Sequence, residues 1–281
     1  MSEFQMTVLI DNESKENLKG EWGLAIHINH RGKTILLDTG SGSSFSKNAE
    51  KLGLSLTDIS YGVLSHAHFD HANGMAKFFS ENTKAKFYLR KGSAENCYSK
   101  HGIFKKYIGI RRGTLRKYRD RISYVDGRHR LYDGAWLIPH ETKGLEEIGR
   151  KAKMFRKTEN TWAVDDFAHE QSLVFELPEG IVVFNSCCHG GVDLVLKEAK
   201  QCFDGKPVIA MLGGFHLMGA DGPDSMRESE GQVRLLAENL KAMEVGKFYT
   251  GHCTGTKAFP ILKEVLGDGL ELLVTGKVIE I

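Results

Sequence analysis

Apolar residues near the start of the chain come in short runs closed by turn formers. "MTVLIDN", "WGLAIHI" and "KTILLDTG" are rich in β-branched and other apolar residues and read as successive strands. Between Phe45 and Leu52 the apolar positions recur at helical spacing instead. "YGVLSH" predicts another strand, "GMAKFFS" a short helix and "AKFYLR" a further strand. In the second half "QSLVFELPEGIVVFNS" predicts a hairpin turning at Pro178-Glu179-Gly180. "PVIAMLGGF", "KFYTGH" and "ELLVTGKVIEI" predict strands, and Val192–Cys202 and Glu228–Met243 predict helices. Strands in both halves with helices between them predict an α/β layered fold. No repeat at solenoid periods and no low-complexity tract interrupts this rhythm.

One stretch departs from it. From Lys91 to Arg130 there are twelve Lys/Arg against three Asp/Glu, including "RRGTLRKYRDR", with no clear core period. We expect an inserted helical or loop segment lying over one end of the sheet. Its span is taken as residues 91–157, within a single domain of residues 1–281. Such a segment is either a solvated charged face or a lid that attracts an anion. On the second reading Arg111, Arg112 and Arg116 bind the substrate, most naturally through a phosphate, since guanidinium groups pair with phosphate oxygens in fixed geometry. Its scattered apolar residues would also suit a homodimer.

The composition adds mostly exclusions. With 281 residues, 41% hydrophobic and 26% charged, the chain resembles an ordinary globular protein able to bury a core. A net charge of +2 gives no global pull towards nucleic acid, so none is expected as a partner. No apolar run reaches the ~18 residues of a membrane span, and "MSEFQMTVLIDNES" lacks the pattern of a secretory signal. A cytoplasmic location and no membrane partner are expected. Five cysteines, an odd number, argue against a disulfide framework, and the absence of a CxxC pair argues against a structural zinc knuckle.

The densest chemistry is in "VLSHAHFDHANG". His66, His68, Asp70 and His71 form HxHxDH directly after an apolar run. A strand ending in a loop does not hold these side chains to alternate faces, so His66 and His68 can converge on one ion and Asp70 and His71 on a second. Imidazole nitrogen and carboxylate oxygen suit Zn²⁺, with Fe²⁺ or Mn²⁺ as alternatives.

This motif resembles the signature of the metallo-β-lactamase superfamily. The resemblance implies a four-layer αβ/βα sandwich with metals at one sheet edge. It also implies that Asp38 of "LLDTG" orients a ligand histidine from beneath the metal loop. It further implies that His189 of "VVFNSCCHGGV" completes a first site with His66 and His68, and that His252 of "KFYTGHCTG" completes a second with Asp70 and His71. The chain departs from the better-known hydrolases in having no "GD" after "IVVFN", where those carry a bridging aspartate. His169 of "DDFAHEQSL", Cys187, Cys188 or no residue at all remain open for that role, as does the choice between one metal and two.

"TVLIDN", "CCHGG", "LGGFHL" and "GHCTG" occur in the order of one branch of the superfamily, which includes an archaeal dihydropterin–ribofuranosylaminobenzene 5′-phosphate synthase. His216 of "LGGFHL" stands at a strand end behind two glycines and is a candidate general acid/base or substrate-binding residue, with a packing role as the alternative. The expected function is that of a metal-dependent hydrolase acting on a small anionic substrate. A metal lowers the pKa of its water towards ~7, and Asp70 orients that water for attack. A pterin/aminobenzene-ribosyl phosphate synthase-type transferase is one alternative, and a non-catalytic metal-binding sensor or scaffold is another.

Overall fold

Short β-branched segments joined by tight turns pair as hairpins, and the N-terminal runs do so. In the computed structural model, which describes residues 4–219, 221–222 and 224–281, Phe4–Ile10, Ala25–His30 and Lys33–Leu37 are antiparallel neighbours. The second and third are joined by Arg31 and Gly32, both at positive φ (48° and 70°), as a two-residue hairpin turn demands. From Lys33–Leu37 onward the pairing becomes parallel, through Tyr61–Val63, Lys86–Arg90 and Ile122–Val125. Val278–Glu280 returns from the end of the chain to lie antiparallel to Phe4–Ile10. Among the described residues these strands form a seven-stranded sheet.

That sheet belongs to a compact unit built from Met1–Asp126, Lys143–Gln171 and Val274–Ile281, the first unit below. Helices Ser44–Lys51 and Met75–Glu81 set Phe45, Ala49, Phe78 and Phe79 in one apolar cluster with Leu9, Leu36, Phe87 and Leu89 of the strands. Phe78 and Phe87 meet edge to face with centroids 5.4 Å apart, a favoured aromatic arrangement. Gly62 makes room for this, because a Cβ there would lie 2.2 Å from the Phe87 ring.

The second unit comprises Gly127–Thr142 and Ser172–Leu273. Its sheet runs Leu270–Leu272, Lys247–Thr250, Val208–Leu212, Gly180–Phe184, Gln171–Leu177, Ala135–Pro139 and His129–Tyr132. The first four are parallel, and Gln171–Leu177 pairs antiparallel with Gly180–Phe184 in the register Leu177 to Gly180. The hairpin therefore turns where Pro178-Glu179-Gly180 predicts. Helices Val192–Cys202, Glu230–Ala242 and Ala258–Leu266 contribute Val195, Leu196, Ala237 and Leu262 to a core shared with Val183, Met211 and Phe248. A capping box, Ser229 with Gln232, starts Glu230–Ala242.

Two segments differ from expectation. Much of 91–157 is strand rather than helix or loop: Cys97–His101, Phe104–Tyr107, Met154–Lys157 and Trp162–Val164 form a four-stranded antiparallel sheet in the first unit. Its basic strands are largely exposed, so alternation of apolar residues never had to appear in them. "ELLVTGKVIEI" is not one strand but two. Gly276, at φ 88°, turns the chain between Leu270–Leu272 and Val278–Glu280, which belong to different sheets. Among the described residues no helix is long and apolar enough to cross a membrane.

Glu198 ties the second unit's helix Val192–Cys202 to the segment after Ala135–Pro139. Its carboxylate accepts from His140 Nδ1 at 2.7 Å and from the backbone N–H groups of Glu141 and Thr142 at 2.9 and 3.0 Å. Burial alone would raise this carboxyl, but the His140 hydrogen bond and charge, with the two N–H donors, hold it below its ordinary value. The ionised form is thus the stabilising one. Its contribution is complete above the ordinary value of 4.5 and disappears as pH falls through the lower, folded-state value. Glu198→Gln is expected to destabilise by about 1–3 kcal/mol at neutral pH and to flatten the acid limb of stability against pH, measured by urea unfolding.

Candidate metal centre

In the first unit the HxHxDH segment is positioned by parallel pairing. Leu37 and Val63 are register partners, so Asp38 and Ser65 emerge side by side beyond the two strand ends. Asp38 is fully buried, its φ is +59°, and its own N–H donates to Val63 O at 2.8 Å. Its Oδ1 accepts from the Ser65 N–H at 2.7 Å. Its Oδ2 accepts from the Ser65 hydroxyl and from His71 Nδ1, each at 2.7 Å.

These bonds set tautomers. The Ser65 hydroxyl has one hydrogen and gives it to Asp38, so the 2.8 Å bond between Ser65 Oγ and His66 Nδ1 is donated by the imidazole. His71 likewise carries its proton on Nδ1, because a carboxylate only accepts. Both rings are held with the Nε2 lone pair as the coordinating face, the form a metal-ligating imidazole requires. The His66 ring lies 4.1 Å from that of His71 and 4.7 Å from that of His68, centroid to centroid. Asp70 and His71 sit in a single helical turn, Phe69–Ala72, with Asp70 Oδ2 3.9 Å from His71 Nε2.

His169 supports this loop and also stands in a donor group with His68, Cys97 and Asp165, their donor atoms within 4.8 Å of one another. Its Nδ1 accepts the Ala67 N–H at 3.1 Å and its Nε2 faces Asp165 Oδ2 at 3.2 Å, so both ring nitrogens are engaged. Burial alone would raise the Asp165 carboxyl, but the His169 imidazole, helped by His68 and the Phe167 N–H, holds it well below the usual carboxylate range.

The basic stretch is fastened to the same loop. Gly109 forms an antiparallel bridge with His68, and the Phe69 N–H donates to Ile108 O at 2.8 Å. Two residues on, the Arg111 N–H donates to Asn73 Oδ1 at 2.9 Å. The Arg112 guanidinium donates to the Tyr98 hydroxyl at 2.8 Å and lies 4.7 Å over the Tyr107 ring. Arg111 and Arg116 are exposed, the latter on the short helix Thr114–Lys117.

In the second unit the loops following three parallel strands carry the remaining candidates. Cys187 and His189 follow Gly180–Phe184, His216 follows Val208–Leu212, and His252 follows Lys247–Thr250. The donor atoms of Cys187, His252 and Cys253 lie within 4.8 Å of one another, as do those of Cys187, His189 and His216. The His189 and His216 rings are 4.3 Å apart, and His216 is half-buried. Both glycines of "LGGFHL" are sterically required. A Cβ on Gly213 (φ 138°) would fall 1.8 Å from Asn185 O, and one on Gly214 would fall 2.4 Å from Cys253 Sγ.

Comparison with known proteins fits this geometry. The model of the metallo-beta-lactamase superfamily matches residues 23–179. The chain belongs to the metallo-β-lactamase superfamily. Its mixed α/β fold is that superfamily's, as the motif implies. The chain is 26% identical over 262 residues to the 7,8-dihydropterin-6-methyl-4-(β-D-ribofuranosyl)-aminobenzene-5′-phosphate synthase of Methanocaldococcus jannaschii, covering 88% of this chain and 84% of that one. Among solved structures it resembles a metal-dependent hydrolase of the β-lactamase superfamily, with TM-score 0.79 and 22% identity over 99% of both chains. It also resembles Zn²⁺-bound PqqB from Methylobacterium extorquens, with TM-score 0.60 and 12% identity over 99% of this chain and 100% of that one. These two likenesses speak to the fold.

Within this superfamily member, Asp38, His66, His68, Asp70 and His71 gather in one unit, and His189, His216 and His252 gather around Cys187 in the other. Cys188 is turned away. Its Sγ faces Asn185 O at 3.5 Å and it packs with Val192 and Leu196 in the apolar core. Ser65, Asp165 and Cys253 lie within segments singled out for their histidines, Arg227 in none, and no sequence signal gave any of the four a role. Arg227 is lowered by burial, a shift opposed by nearby Cys253, Glu228 and Cys187.

Asp38→Asn puts an NH₂ where Oδ2 receives two donors, or where Oδ1 receives one. We expect metal affinity to fall 10–100-fold, as is typical when a partner behind a ligand histidine is lost, measured by competition with a chromophoric chelator.

Proposed function

We propose that this superfamily member is a metal-dependent, hydrolase-type enzyme acting on a small anionic, phosphate-bearing substrate. His66, His68, Asp70 and His71 of the first unit are proposed as metal ligands, with His189 and His252 of the second. The observation that carries this reading is the chain of bonds from Asp38 to His71 and, through Ser65, to His66, which presents two Nε2 lone pairs together. The donor set of imidazoles and a carboxylate fits Zn²⁺, with Fe²⁺ or Mn²⁺ as alternatives. Such an ion supplies Lewis acidity and an activated water at neutral pH.

The chain's own residues have distinct tasks. Asp38 holds the imidazoles in their working tautomers. Asp70, one edge of its carboxylate toward His71, orients the attacking water by accepting its hydrogen bond. His216, beside His189, exchanges a proton with the leaving group. Arg111 and Arg116 are exposed and Arg112 is braced by Tyr98 and Tyr107, so this strip holds the anionic end of the substrate near the HxHxDH loop to which it is hydrogen-bonded.

The synthase-type reading has its own support in the 26% identity to the archaeal enzyme over most of both chains. A direct comparison separates the two. Incubation with a dihydropterin diphosphate and the aminobenzene-ribosyl phosphate releases pyrophosphate for a synthase, whereas a panel of phosphate esters and anhydrides turns over for a hydrolase.

His68→Ala is expected to lower bound metal, measured by elemental analysis, and to reduce turnover by about 10³-fold, the scale of a metal's several kcal/mol of charge stabilisation. Full metal content and full turnover in that variant would overturn the proposal.

A further inference from the structure

We propose that the Cys187 thiolate is a metal ligand of the second unit, shared between His252 and Cys253 on one side and His189 on the other, with His216 beside His189 as the proton-exchanging group. This assignment rests on the metal-site reading above and names a donor that reading leaves open.

The first observation is convergence. Cys187 is common to both groups, each with its donor atoms within 4.8 Å of one another. The second is the contrast with its neighbour. Cys188, at φ +48°, sends its side chain into the apolar core, while Cys187, only 3% exposed, is turned among imidazoles and another thiol. A buried cysteine kept only for packing belongs with Val192 and Leu196, as Cys188 does.

The third observation is sulfur geometry. Cys187 Sγ and Cys253 Sγ are 3.4 Å apart, well beyond a disulfide bond of about 2.05 Å. Two thiolates at about 2.3 Å from one tetrahedral ion stand about 3.8 Å apart, close to this separation. The second thiol is admitted on purpose of space: Gly214 has no Cβ to collide with Cys253 Sγ. Thr254 fixes the turn by accepting the Phe215 N–H at 2.9 Å and bonding Thr250 Oγ1 at 2.5 Å.

Binding of a divalent ion requires each thiol to lose its proton to solvent. Cys187 stands three residues past the strand Gly180–Phe184, in a loop, residues 185–191, that holds no carboxylate side chain.

The test uses the full chain, stripped with a chelator and reloaded with Co²⁺, whose thiolate complexes absorb by charge transfer in the near ultraviolet. The wild type is expected to show this band. Cys187→Ser should remove roughly two thirds of it, since Cys187 would make two of the three sulfur–metal bonds, and Cys253→Ser the smaller remainder. Cys188→Ser should leave it unchanged. Cys187→Asp should keep the Co²⁺ content while losing the same part of the band.

X-ray absorption of Zn²⁺-loaded wild type needs no variant and should find sulfur in the coordination shell. Bound Co²⁺ without the band, a band untouched by Cys187→Ser, or a zinc shell of nitrogen and oxygen only would overturn the shared thiolate and leave the histidine site standing. A wild type that binds no metal would overturn both.

Discussion

A carboxylate buried without contact with water must collect hydrogen bonds or lose its charge. Asp38 collects a backbone N–H, a hydroxyl and an imidazole N–H, all at 2.7 Å. The rest of the candidate centre follows from that requirement. Among the described residues its side-chain oxygens accept from Ser65 and His71, so the loop between them closes around the carboxylate. Closing it brings the His66, His68 and His71 rings within centroid distances of 4.1 and 4.7 Å of His66. The direction of each hydrogen bond then decides which ring nitrogen keeps its proton. A metal motif is often described by its donor residues, but here the imidazoles are arranged by a buried acceptor behind them.

The same structural device recurs in both units. Asp38, Cys188, His216 and His252 all stand beyond the ends of strands that take part in parallel pairing, and all have φ between 46° and 59°. For residues with a Cβ this left-handed region is disfavoured, by of order 1–3 kcal/mol at sites held in sparsely populated conformations. Three of the four are fixed by neighbouring hydrogen bonds. The Asp38 N–H is bound to Val63, the Cys188 N–H to Asn185 Oδ1, and the turn that begins at His252 is anchored through Thr254. The kinks redirect the chain within one or two residues, so that functional side chains leave the strand ends instead of continuing the pleat.

How much of this the sequence reveals depends on the range of the interaction concerned. HxHxDH is legible because its spacing is local, and the hairpin at Pro178-Glu179-Gly180 is legible because its turn chemistry is local. Asp38 is legible only by resemblance. Ser65 is an ordinary serine until the pairing of Leu37 with Val63 sets it beside Asp38, and no periodicity announces a register between strands 27 residues apart. Asp165 and His169 sit four apart, yet no helix joins them. Cys253 carries no sequence signal, since its partner Cys187 is 66 positions away. The 91–157 stretch gives little strand signal because exposed strands of a small sheet need no apolar alternation, and lysines in "FKKY" hide the period-two signal on which strand reading relies.

The donor chemistry also bears on which metal the chain selects. Imidazole and carboxylate donors accept Mn²⁺, Fe²⁺ and Zn²⁺ with affinity lowest for Mn²⁺, so geometry and metal supply decide among them. A thiolate changes the balance, because soft sulfur favours zinc and iron over manganese, which prefers oxygen. The second unit places two thiols where a hard carboxylate is missing from the sequence, and sets them among three histidines. The first unit meanwhile offers the Asp70 carboxylate from a helical turn beside His71. Each unit taken by itself thus offers a different donor chemistry: nitrogen and oxygen in the first, nitrogen and sulfur in the second.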